Sequence, residues 1–311
     1  MIRYIIRRML WVIPTVLVVS FLVYVAMDLT PGDPANAVLG DVATDEQYNQ
    51  VREEMGLNDP IVVRYFRYVV NAVQGDLGTT LYGKRSVWDE VMSRLPYTIY
   101  LTLASIVVAV IFSLPLGILA GIRQNTWIDT LASVFSFVGM AIPNFWLGIL
   151  LIMAFSVHLG WLPSMGVHGF KSIILPAITV GTGLTASLTR TVRAAMLDVI
   201  RQDYLRTARA KGLSNRVVIL KHALKNAMIP IVTIIGTNMA GLLAGAMVTE
   251  TVFSWPGIGY LTIKSVLGGD YNLVTGCIII TAVLMSLILL LIDVIYGFVD
   301  PRIKAQYVEG R

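Results

Sequence analysis

Six long stretches without a charged residue set the strongest limit on what this 311-residue chain can fold into. An α-helix rises about 1.5 Å per residue, so about 20 apolar residues cross the hydrocarbon core of a bilayer. Only 14% of the residues are charged, against about 25% in a soluble domain. We therefore predict an all-α polytopic membrane protein with six transmembrane helices. The predicted spans are Met9–Met27, Tyr97–Ile122, Thr130–Val157, Ser172–Thr189, Ala227–Thr249 and Tyr271–Ile292.

Basic residues decide the orientation, because Lys and Arg collect on the cytoplasmic side of membrane proteins. With the N-terminus inside, sixteen Lys and Arg residues fall on the cytoplasmic side and eight fall outside. We therefore predict that both termini are cytoplasmic. The net charge of +5 reflects this topology rather than nucleic-acid binding. The first apolar stretch of 19 residues exceeds the 7–15 of a secretory signal peptide, which indicates an uncleaved anchor.

Residues 30–95 lie outside the cell in this topology and have the composition of a small soluble cap. Thr44 is a suitable N-cap for a helix that ends near Gly56, since threonine hydroxyls accept hydrogen bonds from the first backbone N–H groups of helices. The stretch from Asp59 to Gly75 predicts a second, amphipathic helix. Its apolar side contains Val62, Phe66, Val69, Val70 and Val73.

The sequence predicts no catalytic, cofactor-binding or metal site. Gly78–Arg85 has the spacing of a phosphate-binding loop, but arginine replaces the Ser or Thr that would hold magnesium, and the topology places the loop outside the cell. His158 and His168 lie outside and His222 inside, so these histidines cannot form one metal cluster. The single cysteine, Cys277, lies in an apolar run and is read as a small buried hydrophobe. We therefore expect the chain not to be an enzyme.

Three ionisable residues near span ends are candidates for a structural or gating role, since a charge at membrane depth needs a partner or water. Asp28 and Glu250 lie at the external ends of the first and fifth spans, and Asp293 lies in the last cytoplasmic turns of the sixth. Ion pairing is the favoured interpretation of all three. For Asp293 the nearby cations are the arginines of the N-terminus.

Glycine and proline patterns within the spans bear on helix packing. GILAG (Gly117–Gly121) and GLLAG (Gly241–Gly245) have the spacing that lets two helices approach closely in lipid, and chance in a Gly-rich chain explains them equally well. Prolines are expected to interrupt or kink several spans, which favours a transport path over a plain anchor. These prolines are Pro115, Pro143, Pro176 and Pro230.

A compact basic segment, Asp203–Met228, separates the fourth and fifth spans on the cytoplasmic side. Asp203 favours a helix start, because an acid there meets the positive end of the helix dipole. Gly212 predicts the helix end, and Ser214 is a suitable cap for a second helix that leads into the fifth span. Periodicity alone leaves two readings open: a functional pair of helices, or a solvated basic loop attracted to anionic lipid.

The segment resembles the cytoplasmic coupling loop of ABC-importer permeases, in which a Glu-Ala-Ala triplet, a glycine and a leucine recur at fixed spacing. Arg206-Thr207-Ala208 occupy the triplet, Gly212 the glycine and Leu224 the leucine. Arginine in place of the usual glutamate, and Lys225 where a proline is common, are both similar to the peptide/nickel branch. The stretches that match this branch are Asp203–Gly212 and His222–Ala227.

Further motifs extend the resemblance over residues 1–304. The chain is identified as similar to permease subunits of dipeptide, oligopeptide, glutathione or nickel ABC importers, specifically the member of the pair with PGDP after its first span. The matching stretches are TPGDP (Thr30–Pro34), GDLG (Gly75–Gly78), LPYT (Leu95–Thr98), TETVFSWPGIG (Thr249–Gly259) and DVIYGFVDPRIK (Asp293–Lys304).

The resemblance implies a type I importer permease that forms half of a pore in a bacterial or archaeal cytoplasmic membrane. Its expected partners are a second homologous permease, two ATPase subunits, an extracytoplasmic solute-binding protein and lipid. The first coupling helix of the family docks on the ATPase, and this role falls to about Asp203–Leu213. The coupling residues are Asp203, Tyr204, Arg206, Thr207, Ala208, Arg209, Ala210, Lys211, Gly212 and Leu213.

The predicted organisation has four parts: residues 1–29 with the first span, the cap 30–95, a five-helix core 96–300 with the coupling loop 198–226, and a tail 301–311. ATP hydrolysis is expected on the partner subunits and no cofactor on this chain.

Peptides are the favoured cargo, with glutathione and nickel as alternatives. The competing interpretation is an ATP-independent secondary transporter or channel, and the nearly charge-free centres of the spans speak against it.

Overall fold

The computed structural model describes residues 2–29, 34–39 and 43–299. The described residues are almost entirely helical, and an isolated antiparallel bridge joins Thr79 to Ser86. The helices are α1 (Ile2–Asp28), α2 (Pro34–Leu39), α3 (Asp45–Glu54), α4 (Ile61–Val73), α5 (Val87–Ile122), α6 (Trp127–Ala141), α7 (Asn144–Leu151), α8 (Ile174–Ile200), α9 (Asp203–Ala210), α10 (Asn215–Val217), α11 (Leu224–Val252), α12 (Ile258–Leu267) and α13 (Tyr271–Val299).

The predicted third span is a broken one. Five helices of the described chain are long and apolar enough to cross a membrane, and α6 and α7 make a sixth span if they are counted together. These two helices meet at 103°, and Pro143 stands at the break as the residue before α7. The helix assignment continues past Pro115 and Pro230, so among the prolines inside spans only Pro143 separates two helices of the described chain.

The chain divides into two compact units. Among the described residues, the amino-terminal unit comprises those of Ile2–Thr98 and Pro256–Leu287, and the central unit comprises those of Ile99–Trp255 and residues 288–299. A hydrophobic cluster that includes Val87, Val91 and Cys277 forms the core of the amino-terminal unit. Cys277 is fully buried there, as the sequence predicts.

The helices of the external cap form as predicted. Thr44 is the N-cap of α3, and its hydroxyl and backbone N–H exchange hydrogen bonds with Gln47 in a capping box. Gly56 follows the end of that helix with a positive φ of 65°. In α4, however, the apolar side that includes Val62, Phe66 and Val73 is exposed. The opposite side is buried through Arg64 and Tyr68, so hydrophobicity alone did not identify the packed face.

A buried carboxylate fixes the hairpin before α5 to the start of α13. Asp270 is 4% exposed, and it accepts hydrogen bonds from the backbone N–H groups of Leu81 (2.7 Å) and Leu273 (3.0 Å). Burial raises the pKa of the Asp270 carboxyl, while the two hydrogen bonds oppose that rise. The predicted cap segment is therefore bound to the chain around residue 270 within the same unit.

In the central unit α8 packs against α6, α7 and α11. The GILAG glycines lie at a close helix contact between α5 and α8. A Cβ on Gly117 would lie 2.5 Å from the Val192 Cβ and 2.8 Å from the Thr189 carbonyl oxygen, and one on Gly121 would lie 2.8 Å from the Met196 Cβ. This pair is a packing motif. Gly241 of GLLAG differs, because a Cβ on it would meet nothing within 4 Å.

Candidate functional site

The predicted coupling segment forms a short helix, α9, that begins at Asp203 and ends at Ala210. The Thr207 hydroxyl donates a hydrogen bond to the Asp203 carbonyl oxygen (3.2 Å), and Arg206 pairs with the Asp203 carboxylate (3.7 Å). Both partners of this ion pair are largely exposed, so the pair contributes little to stability. The start of the helix is as the sequence predicts.

The end of α9 is a sharp glycine stop. Gly212 has a φ of +79° and donates its N–H to the Arg209 carbonyl oxygen (3.0 Å), while the Leu213 N–H reaches the Ala208 carbonyl oxygen (3.4 Å). These two bonds make a Schellman motif, which satisfies carbonyl groups that a helix end leaves free. The predicted role of Gly212 as the helix stop is confirmed.

One side of α9 belongs to the hydrophobic core of the central unit. Leu205 is 0% and Ala208 8% exposed, and both lie in one cluster with Val218, Ile219 and Ala223 from the following segment. Sequence reasoning placed Ala208 among the coupling residues and omitted Leu205. The i, i+3 spacing of these two apolar residues is the signal that identifies the buried face.

The other side of α9 is exposed. Tyr204 lies at its edge, where its hydroxyl accepts a hydrogen bond from the Asn226 side chain (2.7 Å). The remaining predicted coupling residues therefore present a mixed basic and polar surface. The exposed residues are Asp203, Tyr204, Arg206, Thr207, Arg209, Ala210, Lys211, Gly212 and Leu213.

The segment after Gly212 is more continuous than predicted. Ser214 precedes α10, which leads into a π-helical segment, Val218–Ala223, and then directly into α11. The predicted second helix is therefore the first part of the fifth span, without a break at Ala227. A π-helical turn depends on packing, and the sequence carries no local signal for it.

The three ionisable candidates have different surroundings. Asp28 forms an ion pair with Arg64 of α4, as the predicted structural pairing requires. Glu250 is fully buried near the end of α11, and its backbone carbonyl oxygen accepts the Trp255 N–H (2.7 Å). The backbone of Asp293 lies in α13, while its side chain, the N-terminal arginine side chains and most of the PGDP segment lie outside the described residues.

Comparison with known families decides what kind of protein carries this loop. The family described as "Binding-protein-dependent transport system inner membrane component" matches residues 113–305, which is more than half of the chain. The N-terminal family of the same transport systems matches residues 1–102.

The chain belongs to this permease family. It is the permease subunit of an ABC importer and a multi-pass protein of the inner membrane.

Relatives of this permease match it over nearly its whole length. The glutathione transport system permease protein GsiC of Escherichia coli K12 is 43% identical over 304 residues, which is 98% of this chain and 99% of that protein. GsiC of Shigella boydii serotype 4 is 42% identical over the same shares.

Solved transporters show the same fold. A chain of the inward-facing methionine ABC transporter MetNI superposes with a TM-score of 0.57 at 20% identity, covering 68% of this permease and 96% of that chain. A chain of an amino acid ABC transporter with histidines gives a TM-score of 0.51 at 16% identity, covering 69% and 94%. At these identities the likeness concerns the fold, and it supports the predicted type I permease architecture.

The structure of the permease adds a groove, lined by both polar and apolar residues, that the sequence did not predict. The groove lies between α6 and α8 in the central unit and has a volume of about 660 Å³. Arg193 at its edge binds the Asp129 carboxylate with two nitrogens, at 2.5 and 2.8 Å. Arg190 also faces the groove. Sequence reasoning assigned both arginines to the cytoplasmic loop because they follow a charge-free stretch.

The two alanines of α9 allow a test of which side of the helix anchors it. We expect Ala208→Asp to lower the thermal stability of the purified permease, because a carboxylate at a buried site without a partner costs several kcal/mol. Ala210→Asp places the same group on the exposed side and should leave the melting temperature unchanged. Equal melting temperatures for the two variants would contradict the assignment of Ala208 to the core.

Proposed function

We propose that this permease carries small peptides of the glutathione, dipeptide or oligopeptide class across the membrane, as one half of a pore completed by a second homologous permease. The observation that carries the proposal is the 43% identity to glutathione permeases over 98% of the chain. Such a match covers the cap segment, the spans and the coupling loop together, so it extends beyond the features that all importers share.

We further propose that α9 and the Gly212 stop bind an ATPase subunit, with two ATPases in the complete importer. The helix is anchored on one side by Leu205 and Ala208 and exposed on the other, which is the arrangement that a force-transmitting contact requires. A helix that ends at one defined residue also keeps its exposed side chains in fixed positions. The exposed residues of α9 and Leu213 are the proposed contact, and Ala208 acts through its packing.

The extracytoplasmic segments 30–95 and 254–270 are the proposed docking face for the solute-binding protein. The described parts of these segments contain both acidic and basic exposed side chains, among them the Asp59–Arg67 pair (2.7 Å) and Lys264. Mixed charges of this kind suit a transient, electrostatically guided complex. If a permease with the cap segment replaced still docks the binding protein normally, this assignment is wrong.

The experiment for the proposed function is purification of the tagged permease from its native membrane, followed by reconstitution of the complex into liposomes. We expect a second permease and two ATPases to co-purify. We also expect glutathione or a dipeptide to enter only when ATP is present on the ATPase side and the binding protein outside. Uptake by the permease alone, driven by an ion gradient, would instead support the secondary-transporter interpretation.

A further inference from the structure

Arg190 places a positive charge within a helix that is long and apolar enough to cross a membrane. It lies on α8 ten residues before Ile200, the end of the helix, and at about 1.5 Å per residue this is about 15 Å of helix. Its side chain reaches Phe137 and Met140 on α6, ten and thirteen residues after the start of that helix at Trp127. Arg190 therefore lies within Phe170–Ile200, a helical stretch long and apolar enough to cross a membrane, and not at its end.

The charge of Arg190 has no carboxylate partner among the described residues. The Asp129 carboxylate on α6 is bound by two nitrogens of Arg193. Arg190 instead contacts the Phe137 ring, with 5.3 Å from the guanidinium carbon to the ring centroid, and the Met140 sulfur at 3.7 Å. The side chain is nevertheless exposed, so the ends of the guanidinium remain available to a further group.

A charge within a membrane-spanning helix requires either water or a negative partner, because an arginine that faces lipid hydrocarbon is costly. Ionisable residues inside membrane spans accordingly face water-filled cavities and mark the routes of substrates and ions. The groove offers polar groups beside Arg190, since the hydroxyl residues Ser133, Ser187 and Thr191 line part of it. Its apolar wall consists of Phe137 and Met140.

We propose that Arg190 binds a carboxylate of the peptide during its passage through the membrane, with the groove between α6 and α8 as part of the route. This inference rests on the proposed peptide cargo and adds which group of that cargo the chain recognises. Guanidinium and carboxylate match in charge and in the geometry of two parallel hydrogen bonds. Phe137 and Met140 provide contacts for the aliphatic part of the cargo. The groove volume of about 660 Å³ lies within the range of about 300–1,000 Å³ for small-molecule sites.

The test compares Arg190→Gln and Arg190→Lys in the reconstituted complex with the binding protein and glutathione. We expect Arg190→Gln to reduce ATP-driven uptake about tenfold or more, the loss expected for one charge-assisted hydrogen bond, and Arg190→Lys to restore part of it. Co-purification of the partner subunits and the ATPase activity evoked by the loaded binding protein should be retained in both variants. Arg201→Gln is the matched control: this arginine caps α8 and is exposed, and the same charge change there should leave uptake unaltered.

A second cargo checks that the carboxylate is what Arg190 recognises. Uptake of glutathione and of its glycine ethyl ester is measured, and each rate is divided by the amount of that cargo bound to the binding protein. We expect the wild-type complex to prefer glutathione, and we expect this preference to fall in Arg190→Gln. Equal loss in the Gln and Lys variants, loss of the partner permease in either, or unchanged uptake in Arg190→Gln would overturn the inference. If the wild-type complex takes up no peptide at all, the proposed function has failed instead.

Discussion

A Gly212→Pro permease should reach the membrane in normal amount and yet lose ATP-driven uptake and its ATPase partner. Gly212 has a φ of +79°, which proline cannot adopt because its ring fixes φ near −65°. Proline also lacks the N–H that Gly212 donates to Arg209. The substitution therefore removes the helix stop and both hydrogen bonds that depend on it. Loss of the orientation of α9 should reduce uptake to the background of empty liposomes.

Gly75→Pro is the matched control, because the end of α4 has the same geometry. Gly75 has a φ of +90°, its N–H binds the Ala72 carbonyl oxygen, and the Asp76 N–H binds the Asn71 carbonyl oxygen. An added Cβ would meet no atom within 4 Å at either Gly75 or Gly212. In both variants the damage therefore comes from the backbone φ and the lost N–H. Co-purification of the ATPase should survive Gly75→Pro and fail with Gly212→Pro. If both variants keep the ATPase and transport normally, α9 is not the coupling element.

Gly117→Ala should be strongly destabilising for so small a substitution. The added Cβ would lie 2.5 Å from the Val192 Cβ and 2.8 Å from the Thr189 carbonyl oxygen, and a backbone oxygen cannot rotate away. The two helices must separate, with a cost of about 1–3 kcal/mol or more for an overpacked core. We expect a lower melting temperature in detergent and reduced accumulation in the membrane.

Gly241→Ala is the control for that experiment, since Gly241 belongs to the second glycine pair but has no atom within 4 Å of a Cβ. There the change should be neutral or slightly stabilising, because alanine exceeds glycine in helix propensity by about 1 kcal/mol. Both glycine predictions concern the stability of the isolated permease, without its partner subunits. A Gly117→Ala variant as stable as Gly241→Ala would contradict the close contact between α5 and α8.

The features that depend on local sequence were predicted well. The spans follow from charge-free length, the α3 cap from the Thr44–Gln47 pattern, and the α9 boundaries from Asp203 and Gly212. Each of these depends on a few adjacent residues.

The features that depend on packing were not predicted. The angle at Pro143, the buried face of α4 and the groove beside Arg190 are set by which helices become neighbours. A proline indicates where a helix ends but not the direction of the next one. Likewise the sequence does not indicate that Arg190 contacts Phe137 and Met140 of α6.

Because α9 has one buried and one exposed side, chimeras between importers of this kind are restricted in which α9 sequences they can carry. Leu205 and Ala208 are part of the permease interior, while their neighbours on the helix face outward. A chimera that takes this helix from another importer, in order to accept its ATPase, must therefore keep side chains of matching size at positions 205 and 208. The outward positions can be exchanged freely. Compatibility between permeases and foreign ATPases is then a question of two inward residues as much as of the visible surface.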